Sequence, residues 1–201
     1  MAPGRLRLVE PGAATLGPCP DLAVARDHVA AALPGDVAHE ARRRRVLAFL
    51  DEHPDALHRS CRAGHVTGSA MVVDVASRRF LLMLHAKLGR WLQPGGHADG
   101  DGALPGVALR EAGEETGIAG LAVAVPAVDV DVHEVGAPSG RHLHLDVRYL
   151  VLSPATAIAR GNHESRALRW AAFGELAAYG VDRGLVRLAA ASLAAFDSIG
   201  G

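Results

Sequence analysis

Lysine is almost missing from this chain of 201 residues: Lys87 is the only one, so arginine carries nearly all the positive charge. Cysteine is scarce too. Cys19 and Cys61 are the only two, with neither a metal-binding spacing nor the numbers for a disulfide framework, which favours a reducing cytoplasm. Aromatics make up 4% of the chain, so the core must be aliphatic, drawn from a hydrophobic fraction of 49% that is rich in alanine. No apolar run approaches the roughly 20 residues that span a bilayer. Residues 1–20 also lack the apolar stretch of a secretory leader, so a cytoplasmic protein is expected. Lys and Arg total 21 against 22 Asp and Glu, a net charge of −1, which gives no reason to expect bulk nucleic acid or a membrane surface as partner. Length and composition fit one aliphatic core with an extension, and no internal repeat is visible.

What is abundant is carboxylate in one place. The stretch Gly95–Ile118 reads GGHADGDGALPGVALREAGEETGI. Leu104, Ala108 and Ala112 recur at helical spacing as a packing stripe, Asp101 is a candidate cap, Pro105 is tolerated in a first turn, and Gly117 suits the C-terminal stop. On that helix Glu111 lies one turn before Glu114 and Glu115, so all three carboxylates can project to one side. Like charges so placed repel, and Arg110 is the only cation nearby. Clustered carboxylate oxygens suit a hard divalent cation such as Mg²⁺ or Mn²⁺. The plainer alternative is a solvated acidic face.

These residues resemble the Nudix box, G-x5-E-x7-R-E-U-x-E-E-x-G-U with U aliphatic. Gly96 supplies the first glycine; Arg110, Glu111, Glu114, Glu115, Gly117 and Ile118 fall in register, and Trp91-Leu92-Gln93-Pro94-Gly95-Gly96 is similar to the family's W-x-x-P-G-G lead-in. The chain departs from the pattern at Gly102, where the box has its first Glu. The run GGHADGD resembles a subgroup variant of the box, and His97, Asp99 and Asp101 are auxiliary candidates, the two aspartates standing just before the position of the missing charge. The resemblance implies an α/β Nudix fold: an α/β/α sandwich around a mixed curved sheet, covering residues 64–201 with the box at 96–118. Residues 1–63 are then an irregular segment and a helical extension.

Taken in order, residues 1–20 read as irregular because of their prolines and glycines. Asp21 and Asp36 are candidate caps of two helices reaching about Leu33 and Glu52, and Pro54 starts a short third helix towards Cys61. The second helix carries Arg42-Arg43-Arg44-Arg45, either a solvated face or a phosphate contact. The apolar stripes of these helices pack on the main domain or on a second subunit, so a homodimer is entertained. His65–Val75 and Arg79–His85 read as strands. Lys87 and Arg90 follow on a loop, and by the resemblance either can reach a substrate phosphate; surface solubility is the alternative.

Ala127–His133 and Arg141–Leu152 alternate strictly and are joined by a hairpin loop over Gly136–Gly140. Asp129, Asp131 and His133 share one face of the first strand; His142, His144, Asp146 and Arg148 share one face of the second. This polar surface can line a substrate pocket, with His144 and Asp146 as ligands, hold an extra metal, or be structural. Glu164, ahead of Trp170 and Phe173-Gly174-Glu175-Leu176, is similar to the family's E-x5-W followed by a short helix and E-L. Asp182–Phe196 has the apolar spacing of a terminal amphipathic helix.

The resemblance implies metal-dependent hydrolysis of a phosphoanhydride in a nucleoside diphosphate linked to another moiety. Glu111, Glu114 and Glu115 are the implied ligands of Mg²⁺ or Mn²⁺. Gly95 and Gly96 are implied at the substrate, Arg110 as an orienting residue, and Glu111 and Glu164 compete as the base. The reading from another class is a Nudix-fold module that binds a nucleotide without cleaving it.

Overall fold

The computed structural model describes residues 6–137 and 140–199. Pro138 and Ser139, inside the expected hairpin loop, lie outside the described residues, as do residues 1–5. The described chain carries nine strands: β1 (Arg7–Val9), β2 (Gly64–Asp74), β3 (Phe80–His85), β4 (Trp91–Leu92), β5 (Gly95–His97), β6 (Ala122–Val125), β7 (Asp129–Ala137), β8 (Gly140–Ser153) and β9 (Ser165–Ala171). Four α-helices accompany them: α1 (Leu22–Ala30), α2 (Val37–Glu52), α3 (Leu104–Thr116) and α4 (Arg183–Ile199).

The strands form one mixed, open sheet in the order β1-β6-β8-β2-β3-β4, with β5 added to β2, β7 to β8 and β9 to β3. Its spine is a parallel pair, β2 with β8, in unbroken register from Gly64 opposite Leu143 to Asp74 opposite Ser153. Every residue of β2 is buried, as a central strand covered on both faces must be. Alternation divides the core in two. Val66, Ala70, Val72, Leu145, Val147, Tyr149 and Val151 pack beneath α1, α2 and α3, while Met71, Val73, Phe80, Leu82, Leu150 and Leu152 pack beneath α4. This is the expected α/β class.

The caps stand where the side chains allow them: Asp21 accepts from the Ala23 N–H at 2.8 Å and Asp36 from the His39 N–H at 2.7 Å. Gly117 ends α3 at φ 63°, a left-handed conformation that glycine adopts without a Cβ clash.

The N-terminal expectation needs correction in three places. Residues 6–20 are not merely irregular, because β1 adds an edge strand to β6 with Leu8 opposite Ala124, and Ala14–Leu16 forms a 3-10 turn. The stretch after Pro54 forms turns rather than a helix, since Val66 donates its N–H to the Ala56 carbonyl and ties the segment to β2. The arginine run is not simply solvated. Arg42 reaches inwards to the Val130 carbonyl at 2.9 Å, while Arg43 and Arg44 pair with Glu40 on their own helix. The apolar stripes of α1 and α2 (Ala25, Val29, Val46, Leu50) are buried in the chain's own core rather than presented to a second subunit.

Candidate active site

Glu111, Glu114 and Glu115 occupy the last turns of α3, and their environments are unequal. Glu114 is exposed, Glu111 is one-fifth exposed, and Glu115 is 3% exposed. Gly95 on β5 donates its N–H to Glu115 Oε2 at 2.9 Å. A Cβ at Gly96 would overlap the Glu111 carboxylate, and one at Gly95 would overlap Ser69. The two glycines therefore let bare backbone lie between β2 and the carboxylate helix.

Glu164, one residue before β9, stands close enough to Glu115 to help raise its carboxyl. Its loop is held at three points. Ala86 donates to the Glu164 carbonyl at 2.8 Å, Asn162 Oδ1 accepts the Glu164 N–H, and Asn162 Nδ2 donates to the Glu114 carbonyl. Asn162, not singled out from sequence, is thus the clamp between the loop and α3.

Burial pushes the Glu115 carboxyl up to about 8; the Gly95 N–H opposes this, and the like charges of Glu111 and Glu164 add to it. Glu111 is raised by burial as well, against the pull of Arg110. Among the described residues the three helix carboxylates do not converge on one point. They line a ridge, with Glu164 facing it. A buried acid whose nearest charges are acids is a place for a cation, so the donor set fits a hard divalent metal.

The match to known families decides the assignment. A family model described as NUDIX domain matches residues 65–189. The chain belongs to the Nudix family. Nudix-type hydrolase is therefore its enzyme class. Solved structures agree on the fold. A C. elegans Ap4A hydrolase is 16% identical at a TM-score of 0.53, covering 64% of this chain and 95% of its own. A NUDIX-family hydrolase from Clostridium perfringens is 22% identical at 0.51, covering 67% and 97%. The NUDIX domain of Shewanella oneidensis NrtR, complexed with ADP ribose, is 18% identical at 0.50, covering 67% and 92%. No curated protein matches the chain by sequence.

Within this Nudix domain, the departure at Gly102 has a steric origin. A Cβ there would overlap the Asp21 carbonyl oxygen, and the Gly102 N–H donates to the Cys19 carbonyl. Gly106, one turn on, meets the Leu16 carbonyl in the same way. The segment 14–21 thus lies directly on the start of α3, in the space a box glutamate side chain would need. Asp101 serves this junction. Its Oδ1 accepts from Ala103 at 2.9 Å and from Cys19 at 3.0 Å, and its Oδ2 lies 3.6 Å from Arg110. Arg110 in turn lies 3.4 Å from Glu111 Oε1, a bridge between the start of the helix and the first of its three carboxylates. Asp99 is paired with Arg59 at 2.6 Å, and the Arg59 guanidinium also feels the charges of Glu111 and Glu164. Lys87 is exposed on the turn between β3 and β4, and Arg90 lies 3.7 Å from Asp182.

The polar faces of β7 and β8 do meet in register: Asp129, Asp131 and His133 stand opposite Arg148, Asp146 and His144. One half of this surface is closed. Asp146 is 2% exposed, with Oδ1 accepting from Thr67 and Ser69 and Oδ2 from Arg148. The other half is open and rich in histidine. His144 lies opposite His65 of β2, and His97 of β5 joins them, with ring centroids 4.9–5.0 Å apart. His65 carried no signal of its own in the sequence, because its neighbours come from strands far along the chain.

Proposed function

We propose that this chain hydrolyses a phosphoanhydride bond in a nucleoside diphosphate linked to another moiety, at Mg²⁺ or Mn²⁺ held by Glu111, Glu114 and Glu115. The observation that carries this reading is the buried Glu115 carboxyl, set among the acids Glu111 and Glu164 and held by a single backbone donor. Fold relatives add support. One is an Ap4A hydrolase, and another, from E. coli at 17% identity and a TM-score of 0.51, is a dihydroneopterin triphosphate pyrophosphohydrolase covering 66% of this chain and 95% of its own.

A pyrophosphate repels its nucleophile, so most of the rate gain must come from charge neutralisation and positioning. A divalent cation held by Glu111, Glu114 and Glu115 would supply charge neutralisation at the phosphoryl oxygens and a more acidic water. The chain's own residues do the rest. Arg110 aligns Glu111 through its 3.4 Å contact. Gly95 and Gly96 leave the backbone bare where a phosphate approaches. Glu164, half exposed on a loop clamped by Asn162, faces the ridge from the solvent side and accepts the proton of the attacking water. Glu111, pressed against Gly96, is the better cation holder of the two competing acids.

The test is a panel of dinucleotides, nucleotide sugars, ADP-ribose and nucleoside triphosphates, assayed with each metal. At least one member should yield product, and Glu114→Gln and Glu115→Gln should each remove most of the turnover. Tight binding of a panel member with no product under either metal would instead mark a nucleotide-binding module.

A further inference from the structure

We propose that His65, His97 and His144 form a binding site for one divalent transition-metal ion of the zinc class, separate from the glutamates of α3. Each offers a ring nitrogen, and the three nitrogens lie within 4.8 Å of one another. Zinc bound by three imidazoles at about 2.0–2.1 Å needs those atoms roughly 3.3 Å apart, so each ring has to move by less than about 1 Å.

The second observation is independent of that convergence. His65 is 4% exposed, and among the described residues neither of its ring nitrogens has a partner at hydrogen-bonding geometry. A neutral imidazole offers one donor and one acceptor, and buried polar atoms are normally satisfied. A buried ring whose nitrogens meet no partner at hydrogen-bonding geometry, with imidazoles packed around it, is accounted for by a metal taking one lone pair.

The scaffold is built to hold such a trio. The ligands come from β2, β5 and β8, pinned by the register of His65 with His144 and of Thr67 with His97. No ligand sits on a loop. His97 and His144 are half-buried, so the mouth is open and a fourth coordination position remains for an exchangeable ligand.

Imidazole selects zinc, nickel or copper over magnesium, whereas the carboxylate ridge prefers the harder ions. Alternation along β5 also separates the two sites. Gly96 faces Glu111, so His97 points to the opposite side of the strand. His142, with its ring centroid 4.8 Å from that of His65, flanks the trio.

The experiment uses the full chain without an affinity tag, stripped of metal and titrated with Zn²⁺ against a chromophoric chelator and with Co²⁺ by visible absorption. A second group with ligand spacing, His53, Asp55 and Cys61, is controlled for by Cys61→Ser. One zinc per chain should bind, unchanged in Cys61→Ser and in Glu114→Gln/Glu115→Gln. It should weaken by at least about 100-fold in His144→Gln and in His97→Gln, a lower bound set by what lost supporting residues alone cost. Melting curves without metal show whether these half-buried variants fold, and zinc should raise the melting temperature of the wild type but not of either variant. Absence of zinc uptake by the wild type overturns the proposal. So does uptake untouched by either histidine change, or uptake abolished by Cys61→Ser or by the glutamate variant.

Discussion

Glu115 links burial to pH. Its carboxyl is held at about 8 in the fold, against 4.5 for an ordinary glutamate, because burial outweighs the hydrogen bond from Gly95. A folded-state value raised above the unfolded one means the stabilising form is the protonated one. That contribution is complete below about pH 4.5 and is lost as pH rises towards 8. Metal-free protein should therefore lose thermal stability across this window, and Glu115→Gln should flatten the curve; equal slopes in chelator-treated melts would refute this. Since a cation competes with the same proton, Mg²⁺ affinity should rise from pH 6 to 8, with proton release measurable by calorimetry in buffers of different ionisation heat. Gly102 makes the converse point about a single residue. The side chain it lacks has no room beneath the Asp21 carbonyl. Gly102→Glu, which restores the family pattern on paper, should lower stability by about 1–3 kcal/mol or more without raising turnover.

At the scale of elements, the helix that carries the carboxylates is fixed at both ends by different means. Gly117 and the Arg160–Thr116 hydrogen bond close its C-terminus, and Asp101 holds its N-terminus to Cys19. Asp101→Ala removes two backbone contacts and the partner of Arg110, so it should cost about 1–2 kcal/mol and lower kcat more than it raises KM. A change confined to KM in steady-state kinetics would show that Arg110 needs no such support. Much of α3 was legible beforehand, because its stripe of Leu104, Ala108 and Ala112 and its glycine stop are local signals, whereas the expected cap Asp101 stands two residues ahead of the helix's N-cap, Ala103, which has no side-chain cap. So was the two-faced alternation of β7 and β8. What covers Gly102 was not legible, since nothing local says that residues 14–21 return to α3. Nor was the trio of His65, His97 and His144, which depends on a parallel pairing between strands nearly eighty residues apart. Alternation assigns a residue to a face, and only strand register says which face it meets.

Across the whole molecule, one charged cluster joins four elements. Arg148 of β8, 4% exposed, is bound by Asp146 at 2.6 Å, Asp131 at 3.0 Å and Asp129 at 3.3 Å. Arg187 of α4 pairs with Asp129 and Asp131, and Arg42 of α2 approaches both at 3.8 and 3.9 Å. Three guanidinium groups thus meet three carboxylates where α2, α4 and the β7–β8 pair converge. Burial alone would lower the Arg148 pKa and raise that of Asp131; the carboxylates override it at Arg148, and the His133 hydrogen bond followed by the Arg148 and Arg187 charges override it at Asp131. The Asp131 carboxyl is consequently held well below the usual carboxylate range. Its stabilising form is the ionised one, so this contribution is present above the unfolded value and is lost as pH falls. Removing the central cation leaves buried carboxylates without their partner, which costs about 3–5 kcal/mol. Arg148→Met should therefore lower the melting temperature by roughly 10 °C or more at pH 7 for a chain of this length. Arg187→Met, at a position one-third exposed, should cost less. Lowering the pH should narrow the gap between wild type and Arg148→Met, because protonation relieves the stranded carboxylates. A gap that widens in acid would mean that packing around the methylene stem of Arg148, rather than its charge, joins these elements.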